Sequence, residues 1–556
     1  MASSANKIRP VESAAGQPAS GPQTGIDSTG AAVASRTPEL VIALCGPIGS
    51  PLHEASLQTI HALVEFGYTT AAVKLSDLIR INATDVGVSI DTSSKYSEIK
   101  TLIQAGDTLR SRFGNDILAK LAIAKVRADR EKAYGPFLDS PDPQPMTSGN
   151  TMSSQRICHV IDSIKNDAEL ALLRLIYGDL LFAIGVFSPL EIRRKNLERP
   201  GKLTKVEIDQ LIDTDSGEEF DHGQSVRDTF PRCDYFLRVD HSVAAPEEGL
   251  AISQIVGKMR RFFNLLFRTQ VVTPTAEETA MYSATSAGRN SACFSRQVGA
   301  AVTSATGELL AVGWNDVPRS GGGLYGKAPI GNFATSVHTV EIPVERDESC
   351  FARTGAKCSN DEEKKALAEK VIDSLISGGL VSESDRSKAI DKIVTDSRVK
   401  DLIEFSRAVH AEMHAILGAS RVAGDKVVGG KIFVTTYPCH ACARHIVAAG
   451  VSEVHYIEPY RKSLATRLHG DSLTEDVNNR SLVRLMQFDG IAPRRFIDLF
   501  EAGNRKKAGV LHLSGKFEAV PSTHVSLRAI PRLEDVVVAE ILSKHLQLPG
   551  LVTKEK

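Results

Sequence analysis

Four residues in the last third of the chain have the types and the spacing of a catalytic metal site. His410 and Glu412 stand two positions apart, and Cys439 and Cys442 follow with the spacing Cys-x2-Cys. One imidazole and two thiolates are ligands that zinc prefers, and a catalytic zinc site keeps its fourth position for water. A neighbouring carboxylate can take a proton from that water and pass it on. The sequence therefore predicts one zinc ion per subunit on these three ligands, and Glu412 as the catalytic base.

A closed structural zinc site is the alternative interpretation of the same residues. Such a site would need a fourth protein ligand close by, and His414 and His440 are the candidates. Because Glu412 occupies the position that the chemistry needs, we predict an open catalytic site. Both histidines are then expected to lie outside the set of ligands.

The elements on either side of these residues must bring them together. A helix is expected to begin at about His410, and a β-branched strand at 431–436 is expected to end just before Cys439. Residues two apart on one helix do not share a face, so His410 and Glu412 converge only if the metal lies off the first turn of their helix. The helix expected at 443–449 points its positive end at the cysteine pair, which favours ionised thiols.

Short apolar strands alternate with amphipathic helices, which predicts an α/β fold. A strand at 39–45, a glycine-rich turn at 46–51, a helix at 52–66 and a strand at 69–74 form the opening of a parallel sheet. A hairpin at 298–312 begins a second α/β unit, to which the strand and helix around the cysteine pair belong.

The length of the chain requires more than one domain. At 556 residues it exceeds what a single ordinary core accommodates. The composition changes near the ends, where the first residues are rich in Ala, Ser, Gly, Thr and Pro. The predicted division is a flexible tail at 1–36, a first domain at 37–268, a second domain at 276–515 and a C-terminal extension at 516–556.

The bulk composition predicts a cytoplasmic protein with a small-molecule substrate. The formal net charge is -1, so no overall field attracts a nucleic-acid backbone, and we expect no nucleic-acid substrate. No apolar run is long enough to span a membrane, and no secretory signal is present. The eight cysteines are scattered apart from one close pair, which indicates a reducing compartment and a metal site rather than a disulfide framework.

Two further segments resemble one known family. Residues 291–300, Ser-Ala-Cys-Phe-Ser-Arg-Gln-Val-Gly-Ala, resemble the opening strand of deoxycytidylate deaminases. Residues 313–318, Gly-Trp-Asn-Asp-Val-Pro, resemble their Gly-Tyr-Asn-Gly-x-Pro turn, with Trp for Tyr and Asp for Gly. Together with the zinc motif, residues 283–471 resemble the cytidine and deoxycytidylate deaminase superfamily, which implies a cytidine-deaminase-like α/β/α domain.

The resemblance assigns roles to residues outside the zinc motif. It implies that Asn315 contacts a sugar hydroxyl and that Arg296 contacts a phosphate. A turn-forming asparagine and a solvated arginine are the alternatives. Arg461 and Lys462 follow a strand on the site's side and are expected to meet substrate phosphates, with a solvated loop as the alternative.

The first domain resembles the P-loop fold of nucleoside monophosphate kinases. Residues 41–50 resemble the phosphate-binding loop, which implies nucleotide contacts at Gly46, Gly49 and Ser50. A working loop carries a lysine and a Ser or Thr where this chain has Leu52 and His53. We therefore expect no phosphoryl transfer, while nucleotide binding by backbone amides at the helix start stays open.

A kinase-like domain fused to a deoxycytidylate deaminase is the layout of the bacterial anti-phage deoxycytidine triphosphate deaminases. The chain resembles that group over most of residues 38–515, including residues 406–413 and 458–465. The resemblance implies hydrolytic deamination of free deoxycytidine nucleotides, dCTP or dCMP, and depletion of their pool during infection. It also implies a homo-oligomer and control by a regulatory inhibitor.

Two other functions share parts of this pattern. A polynucleotide deaminase acting on tRNA or single-stranded DNA would need a basic, aromatic-lined channel. Aromatic residues make up 6% of this chain and Trp314 is its one tryptophan, so a free nucleotide is favoured. A nucleotide-sensing regulatory protein is the other alternative, and the intact Glu412 argues against it as the main role.

A second metal site is conceivable at Cys350, Cys358 and His338. The eight-residue spacing of the two cysteines matches no compact ligand pair, so ordinary buried cysteines are predicted instead.

Overall fold

The computed structural model describes residues 36–134, 156–198, 203–215, 226–320, 322–325, 348–353, 355–459, 463–523 and 530–547. The tail predicted at 1–36 lies outside these ranges apart from Arg36, and so does the end of the C-terminal extension. Within them, no helix is long and apolar enough to cross a membrane.

The first half of the chain alternates strands and helices as predicted. Its strands are short and apolar, and its helices are amphipathic. The elements are β1 (Leu40–Cys45), α1 (Leu52–Val64), β2 (Thr69–Lys74), α2 (Leu75–Asn82), α3 (Lys95–Phe113), α4 (Ile117–Tyr134), β3 (Ile157–Ile164), α5 (Asp167–Tyr177), β4 (Leu181–Phe187), α6 (Leu190–Leu197), α7 (Lys205–Asp215), α8 (Val226–Thr229), β5 (Tyr235–Arg238) and α9 (Glu248–Leu266).

The second half contains a second set of strands and a helical insertion between β7 and α13. Its elements are α10 (Ala276–Gly288), β6 (Gly299–Thr303), β7 (Leu309–Trp314), α11 (Ser359–Ser377), α12 (Arg386–Asp396), α13 (Ala411–Val427), β8 (Lys431–Thr436), α14 (His440–Ala448), β9 (Glu453–Glu458), α15 (Ala465–Leu468), β10 (Leu473–Thr474), β11 (Val483–Gln487), β12 (Gly490–Ile491), α16 (Phe496–Phe500), β13 (Lys506–Lys507), β14 (Val510–Leu511) and α17 (Ile530–Ser543).

The first sheet has the strand order β2-β3-β1-β4-β5-β12, in which the first five strands run parallel to their neighbours and β12 is antiparallel to β5. β1 lies at its centre and reads Leu-Val-Ile-Ala-Leu-Cys, all buried, as expected for a strand covered on both faces. After β1 the chain forms β2 and β3 on one side of β1 and then β4 on its other side. The turn after β1 therefore lies where the strand order reverses. Open α/β sheets bind ligands at such points. The predicted parallel α/β sheet is confirmed.

The second sheet is mixed and carries the candidate site. Its order is β7-β6-β8-β9-β11-β10, with β6 antiparallel to both β7 and β8 and the remaining pairs parallel. The hairpin of β6 and β7 and the unit β8–α14–β9 correspond to the predicted elements. Helix α13 packs against β6 and β7, which places its first turn near the carboxyl end of β8.

A short segment of the chain pairs with both sheets. β11 belongs to the second sheet, and β12, immediately after it, pairs antiparallel with β5 of the first. Glu278 is fully buried below this crossing, where it accepts a hydrogen bond from Ile491 N at 2.9 Å and pairs with Arg261. The predicted division near residue 270 stays a prediction, and residues after it complete the first sheet.

The C-terminal helix α17 packs back onto the first part of the chain. The buried guanidinium of Arg130 on α4 pairs with Glu39 at the start of β1 and with Glu534 on α17. Tyr177 donates a hydrogen bond to Glu534 at 3.0 Å. Burial raises the pKa of both carboxyls, since charge is costly away from water. This network attaches the extension to the first sheet's helical layer.

Candidate active site

The two cysteines lie where a strand gives way to a helix. β8 ends at Thr436, Cys439 is the N-cap of α14, and Cys442 lies in its first turn. The Cys439 sulfur accepts a hydrogen bond from the Cys442 backbone N–H at 3.5 Å. The amides of this helix start favour negative charge on both sulfurs.

The histidine and the glutamate lie at the start of another helix. His410 is the N-cap of α13 and Glu412 lies in the first turn, so the predicted helix start is confirmed. An N-cap residue has non-helical backbone angles, and this directs the His410 ring away from the helix axis towards the cysteines. The two residues converge on one region because the site lies off the first turn.

His410, Cys439 and Cys442 form a compact group of metal-ligating atoms. The His410 Nδ1 atom is 3.4 Å from the Cys439 sulfur and 3.2 Å from the Cys442 sulfur. All three ligand atoms lie within 4.8 Å of one another, and no other such group of three occurs among the residues that the structure describes. Two sulfurs and one imidazole nitrogen at these separations fit zinc with one open position.

Hydrogen bonds link the three ligand side chains and shift their pKa values. A bound cation would take the place of the protons in these hydrogen bonds. The hydrogen bond with Cys442 and the nearby His410 lower the pKa of Cys439 to about 4. The hydrogen bond with Cys439 raises the pKa of His410 to about 9, and the contact with Cys439 raises the pKa of Cys442. Metal binding characteristically displaces the protons held by such a group of ligands.

Both candidate fourth ligands are engaged elsewhere. His414 Nδ1 accepts a hydrogen bond from Trp314 N at 3.2 Å, and the two rings meet edge to face with centroids 4.8 Å apart. His440 Nε2 is 3.4 Å from a carboxylate oxygen of Glu404. These contacts favour an open site over a closed structural one.

Glu412 is buried beside the three ligands. Its side chain is 5% exposed, and burial followed by the charge of Cys439 raises its pKa. A carboxyl with a raised pKa can both accept and return a proton near neutral pH. A cavity of about 410 Å³ opens next to it, and His410 and Cys439 lie on the same wall.

Asn315 and Arg296 also line this cavity, but each already has partners within the chain. The Asn315 side-chain oxygen accepts a hydrogen bond from Val298 N at 2.8 Å, and its amide nitrogen donates to the Arg296 carbonyl at 2.9 Å. The Arg296 guanidinium pairs with Glu458 at 2.7 Å. The contacts of Asn315 are those of the turn-forming alternative. Arg461 and Lys462 lie outside the described residues.

The glycine turn after β1 uses several of its own polar groups internally. Ser50 N donates to Pro47 O at 3.0 Å, and Leu52 N donates to Ser50 O at 2.8 Å. Those two amides are among the ones that a phosphate at the helix start would need. A Cβ at Gly46 would lie 2.2 Å from the Val186 carbonyl oxygen, so close packing alone accounts for that glycine.

Side chains from neighbouring elements bind the carbonyls of the same turn. Lys165 donates to Gly46 O at 2.8 Å, and Asn196 on α6 donates to Gly49 O at 2.8 Å. Gly49 has φ +83°, which glycine adopts without strain. Nucleotide binding at Gly46, Gly49 and Ser50 stays a prediction.

One wall of the cavity comes from residues that the sequence did not single out. Val409 N donates to Asp316 O at 2.9 Å, which brings the two ends of the insertion together at the site. Lys364 on α11 and Lys400 line the cavity from that insertion. No periodicity or motif marks them, since only the closure of a long loop brings them there.

Cys350 and Cys358 line the cavity as well, and each is half-buried rather than buried as predicted. The Cys350 sulfur is 3.9 Å from the Arg407 guanidinium. His338 lies outside the described residues, and within them these cysteines belong to no group of three ligands.

The close approach of β7 to α13 gives a stability prediction. A Cβ at Gly313 would lie 2.4 Å from Ala415 N and 2.5 Å from Ala411 O, so Gly313→Ala must push α13 outward. We expect the free energy of unfolding to fall by about 1–3 kcal/mol. Turnover should fall as well, because α13 carries His410 and Glu412, and thermal denaturation and ammonia release measure the two effects.

Gly257→Ala is the matched control for that substitution. Gly257 lies within α9 and an added Cβ there meets nothing within 4 Å, so alanine should leave the melting temperature unchanged or raise it. Equal melting temperatures for the two variants would contradict the tight packing of β7 on α13.

Comparison with known proteins is consistent with this site. Residues 274–458 match the family model of the cytidine and deoxycytidylate deaminase zinc-binding region. The match covers strands β6 to β9 of the second sheet and all three ligands. Together with the His/Cys/Cys group, it shows a zinc-binding deaminase-family domain in this part of the chain.

Individual relatives share a short segment. The ComE operon protein 2 of Bacillus subtilis (strain 168) is 45% identical over 56 residues, 10% of this chain and 29% of that protein. The deoxycytidylate deaminase of Enterobacteria phage T4 is 40% identical over 55 residues, 10% of this chain and 28% of that protein. The chain thus spans less than a third of the length of these two relatives.

Two crystal structures of the dCMP deaminase from cyanophage S-TIM5 are also similar to this chain. The apo form has a TM-score of 0.20 and 18% identity, and the match covers 39% of this chain and 100% of that one. The complex with dCMP and dUMP has a TM-score of 0.21 and 19% identity, covering 39% of this chain and 99% of that one.

Proposed function

We propose that the chain is a zinc-dependent hydrolase that deaminates free deoxycytidine nucleotides, dCTP or dCMP, to deoxyuridine nucleotides. The observation that carries the proposal is the placement of the buried Glu412 beside three zinc ligands, on the wall of a cavity. The matching family region supports deamination as the reaction class.

The residues have distinct roles in this reaction. His410, Cys439 and Cys442 would hold zinc, which when bound supplies a water that ionises near neutral pH. Glu412 would take a proton from that water and deliver it to the ring nitrogen of cytosine while the water oxygen bonds to the amine-bearing carbon; the C–N bond at that carbon then breaks, and Glu412 would pass a proton from the added hydroxyl to the departing ammonia. Its burial supports this role, because the raised pKa lets the carboxyl retain a proton until the leaving group needs it.

The dimensions of the cavity favour a free nucleotide. Its volume of about 410 Å³ falls in the range of small-molecule sites, roughly 300–1,000 Å³. Described residues of the insertion line one side, and a cavity of this volume holds one nucleotide more readily than a continuous strand.

A substrate panel tests the proposal. Purified protein is incubated with dCMP, dCTP, CTP and a single-stranded oligodeoxynucleotide, and ammonia release is followed. We expect turnover of at least one free deoxycytidine nucleotide and none of the oligonucleotide. Turnover of the oligonucleotide alone would identify a polynucleotide deaminase and contradict the choice of substrate.

A wider role is proposed from the layout that the sequence resembles. A cytoplasmic enzyme that depletes deoxycytidine nucleotides would restrict phage replication, and a homo-oligomer under control of an inhibitor fits that role. All eight cysteines are free, as a reducing compartment requires. The dCTP pool and phage yield in cells expressing the chain, compared with cells expressing Glu412→Ala, measure this role, and equal phage yields would contradict it.

A further inference from the structure

A loop on the cavity wall is held in place by its contacts with another segment. Residues 292–298, here called the cavity loop, directly precede β6. Five of them line the cavity, namely Cys293, Phe294, Ser295, Arg296 and Val298. Because the cavity loop lies outside any helix or strand, hydrogen bonds with other segments must fix its position.

The turn after β7 supplies these hydrogen bonds at both ends of the cavity loop. At the end of the loop, the Asn315 side chain accepts from Val298 N at 2.8 Å and donates to Arg296 O at 2.9 Å. At its start, the Asp316 carboxylate accepts from Ala292 N at 3.1 Å. The residues between these two anchor points are therefore attached to the turn from both sides.

Asp316 forms more contacts than a turn requires. The residue is 4% exposed, and its second carboxylate oxygen accepts from Val317 N at 2.8 Å. Its backbone carbonyl accepts from Val409 N, next to the zinc ligand His410. The deaminase turn that residues 313–318 resemble has Gly at this position, so the buried carboxylate is a feature of this chain. Since hydrogen bonds to a carboxylate are strong, both amides are held firmly.

Phe294 is the largest apolar side chain of the cavity loop, and it is 48% exposed. Every nucleobase has a π face that can stack on an aromatic side chain. Glu412, which the proposed reaction requires beside the base, lies on the same cavity. A nucleotide in this cavity therefore meets an aromatic face on the cavity loop.

We propose that Asp316 is a positioning residue of the deaminase site, which holds the cavity loop so that Phe294 stacks on the cytosine ring of the substrate. The carboxylate acts through the backbone of Ala292, two residues before Phe294. Without it, the start of the loop loses its anchor and the ring is no longer held in one position. This inference rests on the proposed function and adds to it the residues that bind the base.

Steady-state kinetics and zinc content of the full chain test the inference. Wild type, Asp316→Ala, Phe294→Ala and the double variant are compared on the deoxycytidine nucleotide that wild type turns over. In each single variant we expect KM to rise about 5- to 100-fold, with kcat within about twofold and zinc content unchanged. Because Asp316 acts through Phe294, the double variant should have the KM of Phe294→Ala alone.

Conservative variants identify the groups that matter. Asp316→Asn keeps one acceptor oxygen in the same place, so its KM should lie between those of wild type and Asp316→Ala. Phe294→Leu keeps apolar volume without the flat ring, so its KM should approach that of Phe294→Ala. Phe294→Tyr keeps the ring and should keep the KM of wild type.

Ser304→Ala is the matched control for a lost buried hydrogen bond. Ser304 is 6% exposed, lies at the far end of the β6–β7 hairpin, and its hydroxyl accepts from Glu308 N at 3.1 Å. Like Asp316→Ala, the substitution removes an acceptor for a backbone amide, so both variants should have a lower melting temperature. Ser304→Ala should keep the KM of wild type, since Ser304 does not line the cavity.

The outcomes distinguish this inference from the proposed function. A wild type that turns over no deoxycytidine nucleotide contradicts the proposed function. An active Asp316→Ala with a lower melting temperature and the KM of wild type would show a purely structural role and overturn the inference. Increases in KM that multiply in the double variant would overturn it as well, because Asp316 would then not act through Phe294. Loss of zinc and of kcat at unchanged KM would place the effect at His410 instead, with the same consequence.

Discussion

Glu412→Ala is expected to retain one zinc per chain and to lose deamination. The substitution removes the proton carrier and leaves His410, Cys439 and Cys442 in place. General acid–base groups contribute about 10²–10⁴-fold to turnover, so kcat should fall by about that factor while metal content stays constant. Ammonia release and elemental analysis of the same preparation measure both quantities.

A glutamate elsewhere on the same domain serves as the control. Glu308 is exposed and pairs with Lys426 at 2.8 Å, outside the cavity. Glu308→Ala should therefore keep full turnover. If Glu412→Ala were as active as Glu308→Ala, proton transfer would belong to another group and the assignment of the base would be wrong.

Cys442→Ser is expected to lose both the metal and the activity. Cys442 is 1% exposed, and its sulfur is one of the three ligand atoms. A hydroxyl at this place is a poor zinc ligand compared with a thiolate. A site at a thousandfold excess of zinc over its dissociation constant contributes about 4 kcal/mol to the free energy of unfolding. The melting temperature should therefore fall in the variant, as it should in wild type treated with a chelator.

Adding zinc back distinguishes metal loss from misfolding. Chelated wild type should regain its melting temperature and its turnover with zinc, whereas Cys442→Ser should regain neither. Cys358→Ser is the control for metal content, since Cys358 lines the cavity but belongs to no ligand group among the described residues. A wild type with two zinc ions, of which Cys358→Ser loses one, would contradict a single site per chain.

Much of the fold follows from local patterns. The strand before the Gly46 turn, the hairpin of β6 and β7 and the unit β8–α14–β9 all carry apolar periodicities that the sequence displays directly. The strand order of the two sheets was harder to predict from the sequence. β12 belongs to the first sheet although it follows β11 of the second. It joins through a two-residue pairing with β5, and no apolar periodicity in the sequence indicates that pairing.

The contacts of the predicted substrate residues also required the tertiary structure. Asn315 was predicted to contact a sugar hydroxyl, which stays a prediction, and its side chain hydrogen-bonds the backbone of Arg296 and Val298. The glycine turn resembles a phosphate-binding loop, yet Ser50 N and Leu52 N donate within the turn. The sequence shows which hydrogen-bond donors and acceptors are present. Which of them bond to each other depends on which acceptors lie nearest to each donor after folding.

The sequence by itself determined the zinc-binding group of one histidine and two cysteines, and it predicted Glu412 as the base, for a chemical reason. Zinc selects imidazole and thiolate, the Cys-x2-Cys spacing closes within one helical turn, and Glu412 stands two residues from the ligand His410. Only the tertiary structure decided which other residues line the cavity. Arg227 reaches the cavity because buried neighbours hold α8 against the second sheet, and long-range packing of this kind leaves no spacing for a sequence to reveal.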